Sequence, residues 1–112
     1  MAEELRPIRL SYEDGEEYVL EFNAQTVKDA ESAGFRLSEV SDRPMTMIPL
    51  FFYHAFRMHN PNIKRATTDK ILKELGGMSE AFQERLVDLY LAPINNIGGD
   101  ETTKNPKLTV EL

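Results

Sequence analysis

The two histidines, His54 and His59, are the residues best suited to metal binding or acid–base catalysis in this chain of 112 residues. Five positions apart on a helix, their side chains diverge by about 140°, whereas two helical ligands of one metal are normally four positions apart. Cysteine is absent, which excludes a disulfide, a thiolate metal site and a cysteine nucleophile. The sequence therefore predicts no metal site and no cofactor.

Other reactive side chains lack the neighbours that catalysis requires. The paired acids at positions 3–4 and 16–17 fall near the N-terminus and beside a turn, where solvated charge explains them. Serines and threonines fall at helix caps and turns, without a base that would activate a nucleophile. The glycine pairs at 76–77 and 98–99 lack the lysine and the preceding strand of a phosphate-binding loop. We therefore expect that the protein is not an enzyme.

Charge and hydropathy restrict the possible partners and compartments. The formal net charge is −6, with acids concentrated in residues 1–22 and bases concentrated in residues 44–77. Acidic chains bind nucleic acid poorly, but complementary patches allow binding to a basic protein or to a second copy of the chain. The N-terminus does not resemble a signal peptide, and no apolar run approaches the ~18 residues of a membrane span. These features predict a cytoplasmic protein that binds neither membranes nor nucleic acid.

The most apolar stretch, residues 44–59, is predicted to be the central helix of the fold. On a helical projection its methionines and phenylalanines fill more than half of the circumference, whereas a surface helix needs a stripe little wider than ~100°. We expect Thr46 to be the N-cap, which places Pro49 in the first turn, where no backbone donor is required. The turn at 60–62 would end this helix.

An alternating pattern predicts a β-hairpin before the first helix. Ile8, Leu10 and Tyr12 alternate with polar residues, and so do Tyr18, Leu20 and Phe22. A two-residue loop would turn one apolar face outward. A three-residue loop at 13–15, with Gly15 in the left-handed conformation, pairs Leu10 with Tyr18 and Ile8 with Leu20.

Capping signals predict three further helices. Asn23 would begin a helix over 24–33 that Gly34 ends, followed by a connector over 35–43 that docks on the core. The cluster 67–69 would cap a helix ending at Leu75, and Ser79 would cap the last helix, which Pro93 ends or bends. The residues predicted to be buried in these segments are Val27, Ala30, Ala33, Leu37, Val40, Ile71, Leu72, Leu75, Phe82, Leu86, Leu89 and Tyr90.

Together these elements predict an α+β fold, a small antiparallel hairpin sheet packed against three to four α-helices. We expect a single domain over residues 1–99 and a polar C-terminal tail over 100–112. Residues 108–112 alternate again, so they either add a third strand to the sheet or form a frayed end. The pairing of such a strand, within the chain or between chains, is left open.

Residues 67–92 also suggest an alternative function, a small DNA-binding regulator or another cytoplasmic adaptor, because they are predicted to form a helix, a glycine turn at 76–77 and a second helix. In the regulator the last helix would enter the major groove. Its exposed face carries Glu80, Glu84 and Asp88 against Arg85, which would repel phosphates. An interaction module for other proteins is therefore the preferred interpretation.

Surface for protein contact is predicted on the central helix. Leu50 and Tyr53 lie within or beside its polar strip, and the wide arc that includes Phe52, Phe56 and Met58 exceeds what a few helices cover. Apolar surfaces rich in methionine adapt to varied partners. These five residues are the candidate protein-contact residues, and the alternative for each of them is a place in the core, since large apolar side chains are mostly buried.

The order of segments along the chain resembles that of the small tail assembly chaperones of long-tailed phages and prophages of Gram-positive bacteria. The likeness covers most of the chain from Tyr18 onward and rests on a spaced pattern of common residues. The segments are 18–23, 27–35, 44–46 before 52–56, 68–72 with the glycines at 76–77, 86–90 with Pro93, and 104–106.

The resemblance implies a non-enzymatic function in the host bacterial cytoplasm. Such chaperones are thought to bind the long, aggregation-prone tape measure protein, to keep it soluble and to help recruit tail tube protein before they leave the tail. They are often made in two lengths by a ribosomal frameshift, which a protein sequence does not reveal. The physical requirements are apolar contact surface for helical segments, charge for solubility and no chemistry.

Overall fold

The computed structural model describes residues 5–98, with the side chains of residues 96–98 left out. A two-stranded antiparallel sheet precedes four α-helices, which confirms the small α+β fold. The predicted tail and C-terminal strand lie outside the described residues. The elements are β1 (Ile8–Ser11), β2 (Glu17–Leu20), α1 (Ala24–Ser32), a 3₁₀ turn (Leu37–Glu39), α2 (Pro44–Phe56), α3 (Arg65–Leu75) and α4 (Glu80–Gly98).

The hairpin has the register predicted from side-chain parity. Ile8 pairs with Leu20 and Leu10 pairs with Tyr18. Gly15 has φ +96°, and its amide donates to the Tyr12 carbonyl at 3.0 Å. The three-residue loop keeps both apolar rows on the face that packs on the helices, because an odd loop length preserves the alternation.

Helix α1 begins and ends as its sequence predicts. The Asn23 side chain accepts from the Thr26 amide at 2.8 Å, and the Thr26 hydroxyl accepts from the Asn23 amide at 2.9 Å, which completes a capping box. Gly34 has φ +98°, and the Phe35 amide donates to the Ala30 carbonyl beyond it. Ala33 is exposed, so the prediction of an inward Ala33 is wrong.

Helix α2 is the central element, but its predicted start and end are wrong. It packs against α1, α3, β2 and the 3₁₀ turn, so it is covered on more than one side. It begins with Pro44 at the first position, which needs no amide donor, and ends at Phe56. Pro49 therefore lies inside the helix and leaves the Met45 carbonyl without a helical donor. Met45 is 89% exposed, so it does not belong to the apolar arc.

The last two helices differ from the predicted ones at three points. Helix α3 begins at Arg65 rather than after residues 67–69. The predicted cap cluster 67–69 therefore lies within its first turns, where Thr68 is buried. Leu75, predicted to be buried, is 44% exposed at the C-terminal end of α3. Helix α4 continues through Pro93 to Gly98, so the proline does not end it, whereas Ser79 caps it through the Phe82 amide at 3.1 Å.

An aromatic cluster joins the elements at Phe51 of α2. The Phe51 ring stacks on Phe22 and Phe35, with centroids 5.5 and 4.6 Å away, and meets Tyr90 edge-on at 5.4 Å. These partners come from the segment between β2 and α1, from the turn after α1 and from α4. One side chain of α2 thereby sets the positions of three other parts of the fold.

Replacing Phe51 with alanine should lower the free energy of unfolding by about 3–5 kcal/mol, because it removes a buried ring with three aromatic partners. Met45→Ala on the same helix is the control and should cost less than about 0.5 kcal/mol, since Met45 is exposed. Urea unfolding measures both. Similar losses for the two variants would contradict the central position of Phe51.

Candidate functional site

A surface depression of about 640 Å³ lies where α1, α2 and the start of α3 meet. We call it the Tyr53 depression. Helix α2 and the residue after it supply the face at positions 50, 53, 54 and 57, a spacing that places all four side chains on one side of a helix. Its lining residues are Asp29, Ser32, Ala33, Leu50, Tyr53, His54, Arg57 and Arg65.

Two guanidinium groups lie over the ring of Tyr53. The central carbons of Arg57 and Arg65 are each 5.8 Å from the ring centroid, within the range of a cation–π interaction. Arg57 also donates to the Pro61 carbonyl at 3.1 Å, and the Arg65 Nε donates to an Asp69 carboxylate oxygen at 3.3 Å. These contacts position two positive charges beside a flat apolar surface.

His54 lies beneath this surface and is only 3% exposed. Its Nδ1 and the Nε of Arg57 are buried and have no hydrogen-bond partner within the described part of the chain. Burial, together with smaller effects of the nearby Arg57 and Arg65 that Asp29 opposes, lowers the pKa of His54 to about 4. The imidazole is therefore neutral at physiological pH and adds no charge to the depression.

The five candidate contact residues fall in different places. Leu50 and Tyr53 are half-buried and line the Tyr53 depression. Phe52 and Phe56 are 0% exposed and belong to the core, so the prediction that they contact a partner is wrong. The width of the apolar arc reflects burial of the helix on several sides. Met58 is half-buried and is not among the residues that line the depression.

Sequence reasoning missed Asp29, Arg57 and Arg65 as members of a site. Arg57 follows Tyr53 at the helical spacing of four, which was a usable signal. Arg65 was considered only as one of the bases concentrated in residues 44–77. Nothing in the sequence brings it to Tyr53, since the turn between α2 and α3 determines that contact.

A second surface feature, the α1–α4 groove, lies on the other side of α1. It joins two depressions of about 650 and 510 Å³ that share Glu31 and Ile94. Apolar side chains of α4 form one wall, and its rim carries Lys28 and Arg36. The remaining lining residues are Ala24, Gln25, Val27, Phe35, Leu37, Ser38, Tyr90, Leu91 and Pro93.

The two histidines have different environments. His59 is exposed, and its Nε2 lies 2.9 Å from a Glu21 carboxylate oxygen, whereas His54 is buried beside Arg57. Among residues 5–98, no three histidine, aspartate or glutamate side chains are grouped closely enough to hold a metal ion. Every helix within residues 5–98 is too short or too polar to span a lipid bilayer.

The buried His54 predicts a defined pH dependence of stability. The folded-state pKa of about 4 lies below the ordinary value of 6.5, so the unfolded chain takes up a proton at His54 more readily than the folded chain. The contribution of neutral His54 to the free energy of unfolding is therefore complete above pH 6.5 and is lost as the pH falls from 6.5 toward 4. The slope in that interval approaches at most about 1.4 kcal/mol per pH unit. Urea unfolding of the wild type and of His54→Gln between pH 7 and 4 measures it.

The His54→Gln variant should lose this component, whereas His59→Gln, which alters the exposed histidine, should retain it. Identical pH dependence in the wild type and His54→Gln would show that His54 is not held in its neutral form by the fold.

Comparison with known proteins gives a family and no function. No curated protein and no solved structure matches the chain. The profile of one family, described as a domain of unknown function, matches residues 1–112. The chain therefore belongs to the DUF5055 family.

Proposed function

We propose that the protein is a phage or prophage tail assembly chaperone that binds the tape measure protein and keeps it soluble during tail assembly. It performs this function in the host bacterial cytoplasm without catalysing a reaction. Tail tube protein is a second partner, and the chaperone can also associate with copies of itself. The observation that carries the proposal is the order of segments from Tyr18 onward, which resembles that of these chaperones.

The fold gives this resemblance a physical basis. The similar segments within residues 18–90 correspond to consecutive elements, from β2 through α1, α2 and α3 to α4. Three of these segments contribute Phe22, Phe35 and Tyr90 to the aromatic cluster around Phe51. The likeness thus involves the residues that assemble the whole domain.

The Tyr53 depression supports binding of a polypeptide client. Leu50 and the ring of Tyr53 offer apolar contact, while Arg57 and Arg65 keep the same surface charged and hydrated. A surface of this kind suits an amphipathic helix, which brings both an apolar stripe and polar flanks. The tape measure protein would contact the chaperone here through one such helical segment.

DNA binding has less support from the described residues. In the helix–glycine–helix segment, the helix that would enter DNA is α4, and Glu80, Glu84 and Asp88 are exposed on it. Phosphates would be repelled from that face. A gel shift at low salt tests this alternative, because low salt favours phosphate contacts.

Co-expression with the tape measure protein of the same genome tests the proposed function. We expect the tape measure protein to remain in the soluble fraction with this chain and to precipitate without it. Equal precipitation in both cases would contradict the proposal. The neighbouring genes give an independent check, since a tail tube gene upstream and a very long tape measure gene downstream are expected.

Two matched variants locate the client-binding surface. Leu50→Gln, in the Tyr53 depression, should return more than about half of the client to the pellet, since one buried leucine contact is worth ~1.5–3 kcal/mol. Leu75→Gln makes the same change at an exposed leucine and should behave like the wild type. Circular dichroism confirms that both variants fold.

Ile94→Gln probes the α1–α4 groove in the same assay. If Ile94→Gln releases the client and Leu50→Gln does not, the chaperone function stands and the Tyr53 depression is not the contact surface. Release by Leu75→Gln as well as Leu50→Gln would indicate non-specific hydrophobic association.

A further inference from the structure

We propose that the Tyr53 depression selects a carboxylate side chain of its partner polypeptide, which Arg57 and Arg65 bind together. The apolar part of the partner segment lies on Leu50 and on the ring of Tyr53. This inference rests on the proposed function and specifies the chemistry of the client segment, an amphipathic helix with a glutamate or aspartate beside its apolar stripe.

The positions of the two guanidinium groups are the first observation. Each central carbon lies 5.8 Å from the same ring centroid, so the two are at most twice that distance apart. Both side chains line the same depression, so a carboxylate placed between them is attracted by both positive charges. A guanidinium group also matches the planar, two-oxygen geometry of a carboxylate.

Unused hydrogen-bonding capacity is the second observation. A guanidinium group has five N–H donors. Among the described residues, Arg57 donates one hydrogen bond, to Pro61, and Arg65 donates one, to Asp69. Arg65 is about half exposed, so its remaining donors are accessible to a ligand.

The acidic neighbours limit how much negative charge the site accepts. Asp29 lines the same depression and accepts a hydrogen bond from Gln25 at 2.9 Å, while Asp69 pairs with Arg65. No ion pair joins Asp29 to either arginine within residues 5–98. Repulsion by Asp29 and Asp69 grows with the charge of the ligand, so a single carboxylate is disfavoured less than a nucleic acid or another polyanion.

The neutral His54 adds no charge to the depression, but its ring packs against the ring of Tyr53. It lies buried next to Tyr53, with ring centroids 4.9 Å apart and an interplanar angle of 75°. The histidine therefore supports the tyrosine ring from within the core. The selectivity for a carboxylate thus depends on the two arginines, and Leu50 and Tyr53 bind the apolar side of the segment.

A peptide titration tests this inference with the full-length chain. The probe is a labelled amphipathic helical peptide with leucines on one face and glutamates beside them, and its control has glutamine at every glutamate. Fluorescence anisotropy gives the dissociation constants. We expect the glutamate peptide to bind about tenfold more tightly than the glutamine peptide, and its affinity to fall with added salt.

Two charge-removing variants on α3 locate the interaction. Arg65→Gln should weaken binding of the glutamate peptide about tenfold, because it removes one of the two cations at the site. Lys70→Gln removes an exposed charge from the same helix outside the depression and should change the affinity less than about twofold. Both positions are exposed, so both variants should fold.

Three results would overturn the inference. They are equal binding of the two peptides, equal effects of Arg65→Gln and Lys70→Gln, and no binding of the glutamate peptide by the wild type. Failure of the peptide titration with successful client co-expression would reject the carboxylate site and leave the chaperone function intact. A selective peptide site without client solubilisation would reject the chaperone function instead.

Discussion

Phe51 packs at the centre of the aromatic cluster that joins α2 to the other elements. Its ring contacts Phe22, Phe35 and Tyr90, so the segment after β2, the turn after α1 and helix α4 are all positioned by one residue of α2. Once Phe51 is directed into this cluster, helical geometry determines where its neighbours point. Positions 50, 53, 54 and 57 then form the face between α1 and the start of α3.

The Tyr53 depression is therefore a consequence of the core rather than a separate feature. The backbone ties α2 to the sheet at the same end, since the Glu21 amide donates to the Ala55 carbonyl at 3.0 Å. That bond supplies a donor for a carbonyl that the end of the helix leaves unpaired. The result is a surface in which Leu50, Tyr53 and the neutral His54 lie beside two arginines.

Local interactions made the first third of the fold predictable from sequence. The hairpin register follows from side-chain parity and Gly15, and α1 follows from Asn23 and Gly34, because each signal acts within a few residues. The start of α2 was misplaced because both Pro44 and Thr46 are good helix beginnings, and Pro49 inside a helix is tolerated only through tertiary packing.

The candidate site was predictable only in part, for the same reason. Leu50 and Tyr53 were identified from the helical projection, and they line the depression. The projection also predicted contact roles for Phe52 and Phe56, because an apolar arc does not distinguish a surface patch from burial against several neighbours. The contribution of Arg65 depends on how α3 returns toward α2, which no local pattern in the sequence specifies.

Hydrogen–deuterium exchange of the chain, alone and with the tape measure protein bound, tests whether the client lies on the Tyr53 depression. We expect slower exchange in residues 50–57 and 65–69, around the Tyr53 depression, and unchanged exchange in the hairpin strands Ile8–Ser11 and Glu17–Leu20. Unchanged exchange around the depression, with protection confined to the hairpin or to α4, would contradict it.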